Sequence, residues 1–230
     1  MSLLKSIQER HYTTKEEEMS LEEFLGRAKK DERIGDFPHD GYMSVDTFWD
    51  LGVDDSTAVW FRQVKQDKIK FINFYENSGK DLRHYVSMLS ETGYRYRTHF
   101  LPHDADHRNV QTGKTTADIF QDLLDAFQVS GQVEVLKKCP VQDGINAVRS
   151  RFSRYCFDET NCHLGLKHIE GYHRKWDRHR KVFIQQPVHD SSSHAADALR
   201  MEGIAEDEGN WKANTTNIKV NLGGLDIWDL

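Results

Sequence analysis

DTFWDLGVDDSTAVWFRQVKQDKIKFINFYE, residues 46–76, is the stretch that decides the fold. Aromatic and β-branched residues dominate three runs within it, and such runs are typical of β-strands: Asp46–Leu51, Thr57–Val64 and Ile69–Glu76. The links between the runs are short and rich in glycine, aspartate and lysine, which favours tight connections. The stretch therefore predicts three consecutive antiparallel strands, with the first as a central strand of the sheet.

Helical and strand patterns alternate after this meander. Two further short strands are predicted, Thr98–Leu101 and Val133–Leu136. Apolar residues recur at helical spacing in five segments: Leu82–Leu89, a helix capped by Thr115 with Asp118, a helix capped by Asp143, a helix with a stripe from Cys162 to Trp176, and a last helix after Ser191–Ser193. The order predicts an α/β fold, a mixed sheet of three antiparallel strands followed by parallel additions and flanked by helices.

Length and composition favour one large domain. The chain has 230 residues, of which 37% are hydrophobic and 30% charged. We expect a charged N-terminal segment with a short amphipathic helix (1–40), the main domain (41–209) and a C-terminal tail (210–230). No run approaches the ~18 apolar residues of a membrane span, so no membrane partner is expected. Three cysteines without CxxC spacing argue against a disulfide framework or a cysteine zinc site and suit a reducing compartment.

Three acidic islands carry the chemistry. Asp50 ends the first strand, Asp104 follows a strand beyond Pro102, and Asp197 lies on an apolar helix three residues after His194. A carboxylate in such surroundings is costly to desolvate unless a positive charge compensates it, and a divalent cation bound by all three acids explains the pattern. Mg²⁺ and Mn²⁺ prefer oxygen ligands, and two such ions about 4 Å apart can activate water and stabilise a leaving oxygen. Taken alone, Asp50 is better explained as a turn residue, Asp104 is equally well a loop cap, and Asp197 could be an exposed helical charge.

Charge is unevenly distributed along the chain. The net charge is -6, but the region from Arg149 to Lys181 is basic. The candidate DNA-binding residues are Arg108, Lys114, Arg149, Arg151, Arg154, Arg174, Lys175 and Arg178. A solvated surface is the alternative for all of them. Thr112–Thr115 imitates the end of a phosphate-binding loop, yet Arg108 stands where that motif needs glycine, so no nucleotide site is expected.

Several stretches, in order, carry a resemblance to a known family. They are Arg33–Gly35 with Pro38–Asp40, Trp49–Gly52 with Asp55–Ala58, Tyr94–Asp104, Val141–Asn146, Tyr172–Trp176, Pro187–Asp190 and Ser193–Ala198. Together they resemble the C-terminal nuclease domain of tailed-phage terminase large subunits, within the ribonuclease H-like superfamily. The similarity covers roughly Leu21 to Gly203.

The resemblance implies a metal-dependent endonuclease that cuts concatemeric viral double-stranded DNA during packaging. The family's metal-binding acids map onto Asp50, Asp104 and Asp197, and His194 matches the histidine before the last acid. It implies further partners, namely a portal, a small terminase subunit and a packaging ATPase domain that this chain is expected to lack. The implied location is the host cytoplasm.

The leading hypothesis is a two-metal endonuclease. Asp50 bridges two Mg²⁺ or Mn²⁺ ions, Asp104 and Asp197 each complete one site, and His194 assists. Two alternatives stay open from the sequence. One keeps the fold and changes the substrate to a DNA junction or an RNA–DNA hybrid, and the other is a packaging module whose acids have no catalytic role.

Overall fold

The computed structural model of the protein describes residues 21–52, 56–108, 113–172, 174–177, 182–187 and 192–207. Six α-helices lie in these ranges: α1 (Leu21–Lys30), α2 (Leu82–Glu91), α3 (Thr116–Ala126), α4 (Val141–Arg151), α5 (His163–Gly171) and α6 (Ser193–Asp207). The same ranges hold nine β-strands: β1 (Ile34–Gly35), β2 (Val45–Asp50), β3 (Ser56–Lys65), β4 (Lys68–Ser78), β5 (Tyr96–Leu101), β6 (Gln132–Val135), β7 (Tyr155–Asp158), β8 (Arg174–Asp177) and β9 (Val182–Pro187). Single 3₁₀ turns occur at His103–Asp106 and Phe152–Arg154.

Seven of these strands form one mixed sheet in the order β1-β7-β4-β3-β2-β5-β6. The strands β2, β3 and β4 are antiparallel, as the meander predicts. Parallel strands extend the sheet on both sides, β5 and β6 beyond β2, and β7 and β1 beyond β4. The predicted α/β architecture is therefore confirmed. The middle position belongs to β3, and β2 beside it is an interior strand with a partner on each side, as expected of a central strand.

Neighbouring residues of a strand point to opposite faces of the sheet, and in this sheet both faces carry apolar side chains. Helices cover both faces. Trp49 and Val59 lie on the face covered by α2 and α3, where they pack in one apolar cluster with Leu89 and Phe120. Trp60 lies on the opposite face, in a cluster with residues of α1, α4, α5 and α6. The aromatic meander is buried on both faces, which makes it the centre of the core.

The start of α3 matches its sequence signal. Thr115 is the N-cap residue, and its hydroxyl accepts a hydrogen bond from the backbone N–H of Asp118 at 2.9 Å. The Asp118 carboxylate in turn accepts one from the backbone N–H of Thr115 at 2.9 Å. This reciprocal pair is a capping box, so two otherwise unsatisfied backbone donors of the helix start are bonded.

Other local predictions were wrong. The N-cap of α4 is Pro140, and Asp143 lies inside the first turn, where its charge favours the positive helix end. The helix expected to reach Trp176 ends at Gly171, because Tyr172 has extended backbone angles. Trp176 instead belongs to β8, which pairs with β9 in a separate antiparallel hairpin. The sequence analysis also missed β7, whose four residues follow a 3₁₀ turn directly.

The described part of the N-terminal segment is built into the same core. Phe24, Leu25 and Ala28 of α1 are buried, and β1 pairs with β7 in parallel. The predicted boundaries at residues 40 and 209 stay predictions, and residues 208–230, which contain the expected tail, lie outside the described ranges. None of the helices in the described ranges combines the length and apolarity that crossing a bilayer requires.

Candidate active site

Asp50 is the last residue of β2, at one edge of the sheet. Trp49 before it is fully buried, which anchors the strand, while the Asp50 side chain is 26% exposed. The neighbouring strand β5 runs parallel to β2, with Phe48 opposite Phe100. Carboxyl ends of parallel strands meet at one edge, where open α/β sheets place their sites. The segment after Leu101 therefore emerges at the same edge as Asp50.

Helix α6 brings His194 and Asp197 to this strand end. The indole Nε1 of Trp60 in β3 donates a hydrogen bond to the Ala195 carbonyl at 2.8 Å and so ties the first turn of α6 to the sheet. His194 Nδ1 lies 3.1 Å from Asp50 Oδ2, although the two residues are 144 positions apart in sequence. The His194 side chain is only 5% exposed. The fold thus brings Asp50 and His194 into contact.

Asp197 is an electrostatically strained carboxylate. Its side chain is 22% exposed, and its Oδ1 lies 2.9 Å from Nη2 of Arg200, three residues later on α6. Burial raises the pKa of Asp197 above its ordinary value, the Asp50 charge raises it further, and Arg200 and His194 act in the opposite direction. Two carboxylates therefore lie close together in partly desolvated surroundings, an arrangement that attracts protons or cations.

Asp104 lies just beyond the end of β5, the strand next to β2. It is exposed on the 3₁₀ turn that follows β5, and its carbonyl accepts the N–H of His107. Across the described ranges, no three His, Cys, Asp or Glu side chains are grouped closely enough to hold a metal ion by themselves. The structure therefore brings two of the three predicted acids together and places the third on the neighbouring strand end.

The donor set suits a divalent cation. Asp50 and Asp197 offer hard carboxylate oxygens, which Mg²⁺ and Mn²⁺ prefer. The repulsion by which Asp50 raises the pKa of Asp197 is what a bound cation relieves. One oxygen of each acid already has a partner, His194 for Asp50 and Arg200 for Asp197. Metal ligation would therefore use the other oxygens or replace these partners.

The predicted DNA-binding residues occupy different environments. Arg108 and Lys114 are exposed, and the Lys114 ammonium pairs with Asp122. Arg149 is half-buried on α4. Arg151 and Arg154 both contact Glu206 of α6, at 3.1 and 3.5 Å. Arg174 and Lys175 are on β8, and the structure describes their backbone alone. Arg178 lies outside the described residues. Their DNA contacts stay predictions.

A buried charge network between β2, β3 and α6 was not predicted from the sequence. We call it the Arg62 cluster: Asp46, Arg62, Glu202 and Glu206. Arg62 Nη2 lies 2.9 Å from Asp46, and Nη1 lies 2.7 Å from Glu202 and 3.2 Å from Glu206. The sequence does contain an indication of this network, since Arg62 interrupts an apolar strand run just as Asp50 does. The partner on α6 could not be read from the sequence, which carries no helix-to-strand register.

The sheet order and the acidic strand end define a class, the ribonuclease H-like α/β fold. Solved structures of large terminases from bacteriophages share it. The large terminase of a thermophilic bacteriophage in complex with ATP-γ-S superposes with a TM-score of 0.58 at 16% identity, over 81% of this chain and 45% of that one. The P22 large terminase nuclease domain matches with a TM-score of 0.55 at 15% identity, over 76% of this chain and 89% of that one.

A third match carries a metal. The large terminase nuclease from thermophilic phage G20c with bound magnesium has a TM-score of 0.51 at 11% identity, over 80% of this chain and 96% of that one. The chain spans less than half of the terminase that binds ATP-γ-S and most of the two nuclease domains. Identities this low show a shared fold, and the predicted structural likeness to terminase nuclease domains is confirmed. No family model and no curated protein matches the chain.

Proposed function

We propose that the chain is a divalent-metal-dependent endodeoxyribonuclease that cleaves double-stranded viral DNA during genome packaging. The observation that carries the proposal is the meeting of Asp50 with His194 and Asp197, from the first long strand and the last described helix. A raised pKa at a carboxyl group in a partly open pocket is typical of functional sites. The fold shared with the P22 nuclease domain supports the packaging context.

In this proposal Asp50, Asp104 and Asp197 would hold two Mg²⁺ or Mn²⁺ ions. When bound, the ions would supply Lewis acidity at the scissile phosphate and would lower the pKa of a water molecule. The chain's own residues position these ligands. His194 orients the Asp50 carboxylate, and Arg200 orients that of Asp197. Asp104, on its exposed turn, approaches from the end of β5. The magnesium of the G20c nuclease supports the choice of ion.

The substrate and partners follow from the same proposal. Basic residues contact DNA phosphates and give affinity with little sequence preference. The exposed Arg108 and Lys114 are the strongest candidates, because Arg151 and Arg154 are mostly buried against Glu206, whereas the Lys114–Asp122 pair is open to solvent. A packaging ATPase domain, a portal and a small terminase subunit are the proposed protein partners, and the proposed place of action is the host cytoplasm, where a phage genome is packaged.

The test is nicking of supercoiled plasmid with Mn²⁺ or Mg²⁺. We expect Asp50→Ala, Asp104→Ala and Asp197→Ala each to slow nicking by at least about a hundredfold, since even outer partners of metal ligands change activity 10–100-fold. Asp125→Ala is the control, because this acid is exposed on α3, away from the strand end. An Asp50→Ala or Asp104→Ala protein that cuts as fast as the parent refutes the assignment.

One observation favours a non-catalytic packaging module. Within the described ranges the acids do not form a ready three-ligand group. Calorimetry with Mn²⁺ decides between the two, because a module with structural acids binds no ion while folding normally. If the ion binds, a comparison of linear duplex, four-way junction and RNA–DNA hybrid as substrates separates the packaging nuclease from a junction resolvase or hybrid ribonuclease.

A further inference from the structure

The Arg62 cluster lies at the opposite end of α6 from the candidate active site. Arg62 is in the middle of β3, Asp46 is near the start of β2, and Glu202 and Glu206 are on α6. Each acid also has a second partner. Arg97 donates to Asp46, Tyr155 donates its hydroxyl to Glu202, and Arg151 and Arg154 contact Glu206. The cluster therefore connects two strands and one helix through charged hydrogen bonds.

The cluster is almost entirely buried. The side chains of Arg62 and Glu202 have no exposed surface, and that of Asp46 is 2% exposed. The guanidinium lies 4.6 Å from the centre of the Phe48 ring, which itself stacks on Phe100. Burial disfavours the charge, but Asp46, Glu202 and Glu206 hold the pKa of Arg62 above its ordinary value. Arg62 is thus a permanent charge with a defined set of partners.

The two ends of α6 are matched to the two ends of β2. Asp46 and Asp50 are four strand residues apart, about 13 Å at about 3.3 Å per residue. His194 and Glu202 are eight helix residues apart, about 12 Å at 1.5 Å per residue. A single alignment of α6 along β2 therefore allows both contacts, His194 with Asp50 and Glu202 with Arg62. Between them, Trp60 holds the Ala195 carbonyl.

Such a cluster penalises every other alignment of the helix. A slip of α6 by one turn, about 5.4 Å, would leave Arg62 or Glu202 buried without its partner. An unpartnered buried charge is far more costly than a buried pair, whereas exchanging a whole pair for apolar residues is often neutral. The cluster thus adds little net stability and much specificity of register.

We infer that Arg62 and Glu202 are positioning residues that fix the register of α6 on β2 and β3 and thereby place His194 and Asp197 at Asp50. The consequence for cleavage rests on the proposed function. The consequence for the position of α6 does not.

The test measures both consequences separately in the full chain. The Trp60 indole N–H, assigned by its loss in Trp60→Phe, reports the position of α6 through its bond to Ala195. Hydrogen exchange of this N–H is followed by NMR in the absence of metal, and plasmid nicking with Mn²⁺ is measured in parallel. The test variant is the double substitution Arg62→Met with Glu202→Leu, in which Asp46 keeps Arg97 and Glu206 keeps Arg151.

We expect the double variant to unfold cooperatively, with indole exchange at least about tenfold faster, which corresponds to about 1.4 kcal/mol, and with nicking reduced to a similar degree. Glu202→Gln keeps the shape and one acceptor for Arg62, so its indole exchange should lie between those of the parent and the double variant. Leu124→Ala in α3 is the control, because this buried residue packs on the opposite face of the sheet and should leave the Trp60 exchange unchanged.

Parent-like indole exchange in the double variant overturns the inference, whatever the nicking rate. If the double variant does not fold, Glu202→Gln decides, and exchange equal to that of the parent overturns the inference. The variants could show faster indole exchange while the parent protein fails to nick DNA. That result supports the positioning role of Arg62 and Glu202 and refutes the proposed nuclease function.

Discussion

His99 is a buried imidazole that the fold keeps uncharged. The free energy of unfolding should therefore fall as the pH falls. Its neighbours fix its tautomer. Trp49 Nε1 donates to the Thr47 hydroxyl at 2.7 Å, and that hydroxyl donates to His99 Nδ1 at 2.8 Å. His99 Nε2 then carries the hydrogen and donates to the Ser130 carbonyl at 3.2 Å. A second proton on Nδ1 would face a donor, so the site favours the uncharged ring.

The magnitude follows from the pKa. Burial lowers the pKa of His99 from 6.5 to about 4, a shift of about 2.5 units. One unit is worth about 1.36 kcal/mol, so the full effect is about 3 kcal/mol. Between pH 6.5 and about 4 the unfolded chain binds this proton and the native state does not, so stability falls as the pH falls. From pH 7 to pH 5 the expected loss is about 2 kcal/mol.

The assay is urea unfolding of the parent and of His99→Gln at intervals from pH 5 to pH 8. At pH 7 the variant should be less stable by about 1–3 kcal/mol, because Thr47 or Ser130 loses a buried hydrogen bond. Toward pH 5 the difference should shrink by about 2 kcal/mol, since glutamine does not titrate. A difference that stays constant over this range refutes the buried neutral imidazole. So does an NMR titration of the His99 ring that is complete above pH 6.

Three further predictions concern the site and its supports. Asp197→Asn should raise Tm at neutral pH while abolishing nicking, because burial and Asp50 raise the pKa of this carboxyl and its charged form destabilises the native state; the gap should close as the pH falls. Mn²⁺ at a hundredfold excess over Kd should stabilise the parent by about 2.7 kcal/mol, and an equal shift in Asp50→Ala contradicts the assigned ligand. Gly165→Ala in α5 should cost about 1–3 kcal/mol, because the new methyl carbon would lie 2.5 Å from the Trp60 ring and 2.7 Å from that of Phe74. The matched change Gly26→Ala in α1, with no atom within 4 Å, should stabilise by about 0.5–1 kcal/mol, and equal effects in urea unfolding would contradict the packing argument.

The sheet was largely predictable because its main strands are long and strongly apolar. The meander from β2 to β4 carries enough aromatic residues to be recognised in isolation. The strands β7, β8 and β9 were not predicted, because four to six residues are too short a window to separate strand from helix. At Trp176 the helical spacing continued past the point where the backbone becomes extended at Tyr172. The local sequence pattern does not indicate that the helix ends there.

The candidate site was predictable in residue type and only partly in arrangement. Acids within apolar surroundings identified Asp50 and Asp197, and the fold brings them together with His194. Asp104 was predicted on the same reasoning, and it lies exposed on the turn after β5, where its part in the site stays a prediction. Arg62 carries the same signal of a charge in an apolar strand, and its role emerges only with the helix in place. Register between distant elements is set by packing, which no short window of sequence contains.

Helix α6 is the last of the described elements, and it follows every strand of the sheet. During synthesis, at about 5–20 residues per second, Asp50 leaves the ribosome on the order of ten seconds before His194. A nascent or truncated chain without α6 therefore lacks both the helix that packs on Trp60 and the two site residues His194 and Asp197. On the proposed function, such a chain cannot cut DNA, and cleavage begins only once α6 has been made and has docked.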